Sequence, residues 1–249
     1  MRGITDTVKH LLIINIIMFV GTMAIGNGEL FYRLFALYFP KNDLFQPWQI
    51  ITHMFMHGGV THILFNMFAL WMFGTAVEQV LGKKKFLFFY ISSGLGAALI
   101  MLGFYYLKYL PSESILIQSG LSSTEIHQML STNELINGIN AMQKIELQKM
   151  FNIFNSSMVG ASGAIMGVLV AFGMLFPESK LMLIFLPIPI KAKYFIPAII
   201  ALDLISAITG QSFFSPNNTA YIAHVGGALT GFIIMYFWKK DQFDKYRWN

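Results

Sequence analysis

Apolar residues in this chain come in long, nearly unbroken runs, without the short stripes of a surface helix or the alternation of a half-buried strand. A helix needs about 20 apolar residues to cross the roughly 30 Å hydrocarbon core of a bilayer. Stretches near 9–27, 60–80, 86–107, 159–176, 194–209 and 220–238 suit such crossings. The fifth is short and carries Asp203. The pattern predicts an all-α membrane protein, a bundle of six transmembrane helices forming one domain over 1–249.

The connections differ in kind. Residues 28–58 hold Phe31, Tyr32, Phe35, Tyr38 and Phe39, the composition of a loop lying among lipid headgroups. Residues 108–158 form a polar insert between the third and fourth spans. Within 124–154, the spacing of Ile126, Met129, Leu130, Leu135, Ile139, Met142, Ile145, Leu147 and Met150 predicts one or two amphipathic helices on the outer surface. The run LMLIFLPIPI at 181–190 is too short to cross and return and contains Pro187 and Pro189. It reads as an interfacial segment of the inner face.

Composition strengthens this picture. Hydrophobic residues make up 55% and charged residues 12%, with mean hydropathy +0.59. A soluble fold of this size has no place to hide so much apolar surface. Arg2, Lys9, Lys83–Lys85, Lys180, Lys191, Lys193, Lys239, Lys240, Lys245 and Arg247 share one side of the six-span topology. The other side has only Arg33, Lys41, Lys108, Lys144 and Lys149, so both termini are expected in the cytoplasm, in a bacterial inner membrane. The net charge of +5 is thus a topology signal, and no nucleic-acid partner is expected. With no cysteine, a disulfide framework and a thiol nucleophile are excluded. Arg2 and Lys9 before the apolar run 11–20 resemble a signal peptide, but the stretch is read as an uncleaved first span.

Polar groups inside spans are costly and usually functional, and here they gather in three places. HMFMHGGVTHILFN at 53–66 puts His53 and His57 four residues apart, and His62 and Asn66 on one helix face. GASGAIMG at 160–167 places Ser162 at a helix start, with Gly163 and Gly167 as a GxxxG pair. AHVGGALTG at 223–231 sets His224, Gly227 and Gly231 on one face. Close packing alone accounts for the glycines but has no need of Ser162. The alternating topology brings all three clusters to the same outer depth, where His224 Nε2 reaches Ser162 Oγ if the fourth and sixth spans are neighbours.

Peptide hydrolysis by serine needs a nucleophile, a base and oxyanion donors. Ser162 and His224 suit the first two roles; Asn66, His62 and the Ser162 backbone N–H suit the third. The sequence resembles the rhomboid family of intramembrane proteases, through His53, His57, His62 and Asn66; Gly160, Ala161, Ser162 and Gly163; Ala223, His224, Gly227 and Gly231; and the run 69–82 with Glu78. The resemblance implies a six-helix bundle with a Ser–His dyad and no catalytic acid. It implies no cofactor and no metal, and as substrates membrane proteins whose spans carry small or helix-weakening residues near the cut. Two positions depart from the pattern. Trp48-Gln49 stands where many members have Trp-Arg, and Met166 replaces an aromatic that often supports the base. Phe213 and Phe214 suit either an apolar lid or an interfacial anchor. Three other readings stay open: a zinc protease using His53, His57 and His62, which lacks the Glu of HExxH; a non-catalytic escort of membrane helices; and a transporter using Asp203, which more simply pairs inside the bundle.

Overall fold

The computed structural model describes residues 3–183, 186–211 and 220–245. Among the described residues five helices are long and apolar enough to cross a membrane: α1 (Asp6–Ala24), α4 (Val60–Leu81), α5 (Lys83–Gln118), α9 (Ala192–Thr209) and α10 (Tyr221–Lys245). The sixth expected span, α8 (Ser162–Leu175), has only 14 residues, about 21 Å of helix. Short helices α2 (Glu29–Phe35) and α3 (Gln49–Thr52) lie in the first connection, and α6 (Ser123–Thr132) and α7 (Ala141–Phe154) in the insert. Two small antiparallel ladders complete the fold: β1 (Leu37–Tyr38) with β2 (Ser157–Met158), and β3 (Lys180–Leu183) with β4 (Leu186–Lys191).

Helix α8 is the axis of the bundle. Every residue from Gly163 to Phe172 is buried, so this helix has no lipid-facing side. The outer helices show the opposite pattern. In α1 only Val8, Leu11, Asn15 and Thr22 are buried, a single stripe, while Ile13, Ile14, Ile16, Ile17 and Val20 face outward. In lipid such residues lose nothing by exposure, because the solvent is as apolar as they are.

What holds the inner helices together is contact through small residues. A Cβ added to Gly227 would lie 1.9 Å from the carbonyl oxygen of Gly163, and one on Gly231 would lie 2.6 Å from the Cα of Gly167. Helix α5 joins the same seam: a Cβ on Gly163 would meet Ala97, and one on Gly167 would meet Ser93.

Polar groups at the lysine-rich end bond across the bundle. Glu78, near the end of α4 and 3% exposed, accepts hydrogen bonds from Thr5 Oγ1 at 2.5 Å, Thr7 N at 3.0 Å and Val8 N at 2.9 Å. Thr5 itself makes no side-chain cap, so a carboxylate from another helix satisfies the orphan amides at the start of α1.

Several expectations shift. The third span does not stop near 107: α5 runs through Pro111 to Gln118, and its 36 residues give about 54 Å, far more than a bilayer requires. The insert is two helices, each opened by a capping box, Ser122 with Glu125 and Asn140 with Gln143. They pack on the α5 extension through a second core of Tyr109, Leu116, Ile126, Met129, Leu130, Leu147, Met150 and Phe154. Leu135, Met142 and Ile145 stay exposed. Phe39 is not interfacial but enters this core, its ring 4.8 Å from Tyr106 and 4.9 Å from Tyr109. The described residues of the 181–190 run lie in two antiparallel strands, with Lys180 paired to Lys191 and Leu181 to Ile190. Glu178 bridges Lys191 and Lys193 at 2.6 Å each, and these cations pull its carboxyl down to about 2. Phe213 and Phe214 lie outside the described residues.

Three substitutions test this packing, each read by thermal unfolding in detergent. Glu78→Ala strands the amides of Thr7 and Val8 and lowers stability by about 2 kcal/mol; an unchanged transition removes the cap. Gly227→Ala forces α8 and α10 apart and costs roughly 3 kcal/mol. Gly103→Ala, where a Cβ meets nothing within 4 Å, gains about 0.5–1 kcal/mol. Equal midpoints for the two glycine variants would mean the helices do not touch at Gly227.

Candidate active site

The fold draws the three polar clusters to one place. Ser162 is the first residue of α8, and Ala161 before it has near-helical backbone angles and no side chain able to cap. The first amides of α8 are therefore free of intrahelical partners. His224 lies one turn into α10. Its Nε2 is 2.8 Å from Ser162 Oγ. The glycine seam sets this distance, since Gly163 and Gly227 follow the two residues on their helices.

The other face of the imidazole is also engaged. His224 Nδ1 is 2.8 Å from Oδ2 of Asp203 on α9. The Asp203 side chain is 4% exposed and that of His224 11%. An ionised carboxylate only accepts hydrogen bonds, so the Nδ1 atom donates. The Nε2 lone pair is then left for the serine, whose hydroxyl donates to it. Asp203 does pair inside the bundle, as its position in a span required; the identity of its partner was not legible beforehand.

His62 borders the same space. Gly160 has φ +127°, and a Cβ there would fall 2.8 Å from His62 Nε2 and 3.6 Å from Ser162 Oγ. Glycine is thus required twice at this position, by backbone angle and by room. Asn66 is 6% exposed one turn further along α4, and its Nδ2 is buried with no hydrogen-bond partner among the described residues. His57 packs edge-on to His62 at 5.0 Å between ring centroids, and neither of its ring nitrogens has a hydrogen-bond partner among the described residues.

His53 takes a different part. It donates from Nδ1 to the Gln49 carbonyl at 2.8 Å, and its own carbonyl accepts from Gly160 N at 2.9 Å. It therefore holds the loop that leads into Ser162. Burial drives the His53 imidazole down to about 4, against the backbone bonds that favour its charged form. Burial and the neighbouring His62 drive His57 down to about 3. Both rings are neutral near pH 7. Among the described residues no three His, Asp or Glu side chains form a cluster able to hold a metal ion, so the HxxxH spacing is not completed into a zinc set.

Gln49, which departs from the Trp-Arg pattern, proves well used. It is fully buried and makes four backbone contacts. Its Oε1 accepts from Gln46 N at 3.0 Å and Tyr38 N at 3.4 Å, while Nε2 donates to Leu44 O at 2.9 Å and Arg33 O at 3.1 Å. The first connection is thereby folded around a neutral amide. β1 then pairs with β2 just ahead of Ser162, joining this connection to the serine loop. Sequence reasoning missed both Gln49 and the Asp203–His224 pair. For Asp203 the signal was present as a lone carboxylate within a span.

The Rhomboid domain family matches residues 44–240. Presenilin-associated rhomboid-like protein, mitochondrial, of Rattus norvegicus is 28% identical over 205 residues, covering 80% of this chain and 41% of that protein. Rhomboid protein 1, mitochondrial, of Saccharomyces cerevisiae is 28% identical over 189 residues, covering 76% and 40%. Putative rhomboid protease YdcA of Bacillus subtilis is 44% identical over 48 residues, covering 19% and 24%. The chain thus spans about two-fifths of the length of the rat and yeast relatives. Their names point to mitochondria and give no support to the expected bacterial inner membrane; the similarity carries only an integral, multi-pass membrane protein. The match extends over well more than half of the sequence, and this chain belongs to the rhomboid family.

Proposed function

We propose that the chain is an intramembrane serine endopeptidase that cuts transmembrane segments of membrane proteins. The observation that carries this reading is the 2.8 Å contact between Ser162 Oγ and His224 Nε2. It joins two helices whose polar residues would otherwise be a cost in lipid. Support also comes from the buried Nδ2 of Asn66, a donor with no acceptor among the described residues.

In this mechanism His224 Nε2 takes the Ser162 proton as Oγ bonds to the scissile carbonyl carbon. The carbonyl oxygen becomes an oxyanion. Asn66 Nδ2, His62 and the Ser162 amide donate to it, aided by the positive end of α8. His224 then hands its proton to the departing amine, leaving an acyl-enzyme. Water attacks the ester through the same base, and Ser162 regains its proton. The substrate is a membrane helix with small or helix-weakening residues near the cut, because an intact helix keeps its carbonyls bonded and out of the nucleophile's reach.

The depth of the chemistry follows from helix length. With its last turn at the lysine-rich end, the roughly 21 Å of α8 leaves Ser162 about 9 Å short of the opposite edge of a 30 Å core. Irregular backbone at that depth is tolerated only where protein covers it or a wet cavity receives it. The pairing of β1 with β2 and the His53–Gly160 bond meet part of that need.

The test uses purified protein in proteoliposomes, with a single-span substrate and a fluorophosphonate probe. Ser162→Ala abolishes both cleavage and labelling while the unfolding temperature holds; continued cleavage removes Ser162 as nucleophile, and an inert native protein favours a helix-binding escort. Asn66→Ala lowers kcat by roughly 10²–10³-fold, the scale of a lost oxyanion donor. A native rate in that variant would take Asn66 out of the oxyanion site.

A further inference from the structure

We infer that Asp203 is a positioning residue for the reaction, so that this chain works with a Ser162–His224–Asp203 relay of contacts and not with a bare serine–histidine pair. The inference rests on the protease reading above and deepens it.

The first observation is geometric. Oδ2 of Asp203 lies 2.8 Å from His224 Nδ1, and the opposite ring nitrogen lies 2.8 Å from Ser162 Oγ. One imidazole is thus held from both sides by groups on two other helices. The second is burial. Asp203 is 3% exposed in a helix whose only other buried residues are Ala192, Ile196 and Ser206. A carboxylate in such a place is expensive unless it is paired, and among the described residues His224 is the hydrogen-bond partner of its side chain.

The chemistry follows from the donor and acceptor inventory. A neutral imidazole carries its proton on one nitrogen or the other, and only the Nδ1–H form leaves Nε2 able to accept from Ser162. A carboxylate facing Nδ1 selects that form and fixes the ring plane. When the serine proton moves to Nε2, the ring becomes a cation beside an anion already in position. The serine proton stops on the imidazole, and none is passed on to Asp203.

A purely structural role, tying α9 to α10, needs the same contact but makes different demands. The experiment combines kinetics of Asp203→Asn and Asp203→Leu with ¹⁵N NMR of histidine-labelled native protein, His224 being assigned by its loss in His224→Gln. Native His224 is expected to carry its proton on Nδ1. In Asp203→Asn the proton shifts toward Nε2, because the amide NH₂ donates to Nδ1. kcat and the fluorophosphonate labelling rate fall together by roughly 10²–10⁴-fold, with KM and unfolding temperature nearly unchanged.

A native spectrum with the proton on Nε2 overturns the inference, and it does so even if no Asp203 variant folds. So does a native kcat in Asp203→Asn, or a variant that only melts earlier or binds substrate less well. In each of these cases an inactive Ser162→Ala leaves the protease reading standing. Cleavage by Ser162→Ala sinks that reading and this inference with it.

Discussion

At Gly227 the backbone of α10 comes so near α8 that a single methyl group would collide with the carbonyl of Gly163. Much else depends on this approach. Two helices separated by ordinary side chains stand 8–10 Å apart, too far for a serine on one and a histidine on the other to share a proton. Glycine at 163, 167, 227 and 231 removes the spacers, and α5 closes the third side through Ser93 and Ala97. Between lipid-solvated helices no hydrophobic force drives association, so dispersion at close range and internal hydrogen bonds must do so. The same contacts that assemble the bundle therefore bring Ser162 and His224 together.

A second constraint is the scarcity of water around polar groups inside lipid. The protein answers it locally in several ways. Glu78 serves the start of α1. Gln49 serves four backbone groups of the first connection. His53 links Gln49 to Gly160 and so to the loop that leads into Ser162. Not every buried group is met: Asn66 Nδ2 and both His57 ring nitrogens have no partner among the described residues, and neither do Asn15 Oδ1 or the hydroxyls of Thr75, Tyr90, Ser93 and Tyr221. In the proposed reaction Asn66 Nδ2 finds its acceptor in the oxyanion.

Much of this was legible in the sequence, for physical reasons. Spans follow from length and hydropathy, and the polar clusters from the cost of burying such groups in lipid, so His62, Asn66, Ser162 and His224 could be read as one group. The glycine face of 224–231 announced a close helix neighbour without saying which span supplies it. What escaped depended on three-dimensional pairing. Asp203 was visible as an anomaly, but its partner is 21 positions away, and the choice among neighbouring helices is not written in periodicity. Gln49 seemed a loss because an amide lacks the charge of arginine; its value lies in having donor and acceptor together. Pro111 and the serines near it masked the continuation of α5, and Pro187 and Pro189 masked the strand β4. Local signals were misleading where tertiary contacts overrode them.

The long projection of α5 has a consequence for the physics of the whole chain. Beyond the bilayer it supports a small core of aliphatic and aromatic residues covered by α6 and α7, whose exposed positions are mostly polar, among them Ser123, Gln128, Lys144, Gln148, Lys149 and Asn152, beside Met142 and Ile145. That cap is stabilised by exclusion of water, with the heat-capacity signature of apolar burial, whereas the bundle beneath gains nothing from that source. One polypeptide thus joins two thermodynamic regimes end to end. Urea, salt and temperature act strongly on the upper part, while acyl-chain length and lipid packing govern the lower.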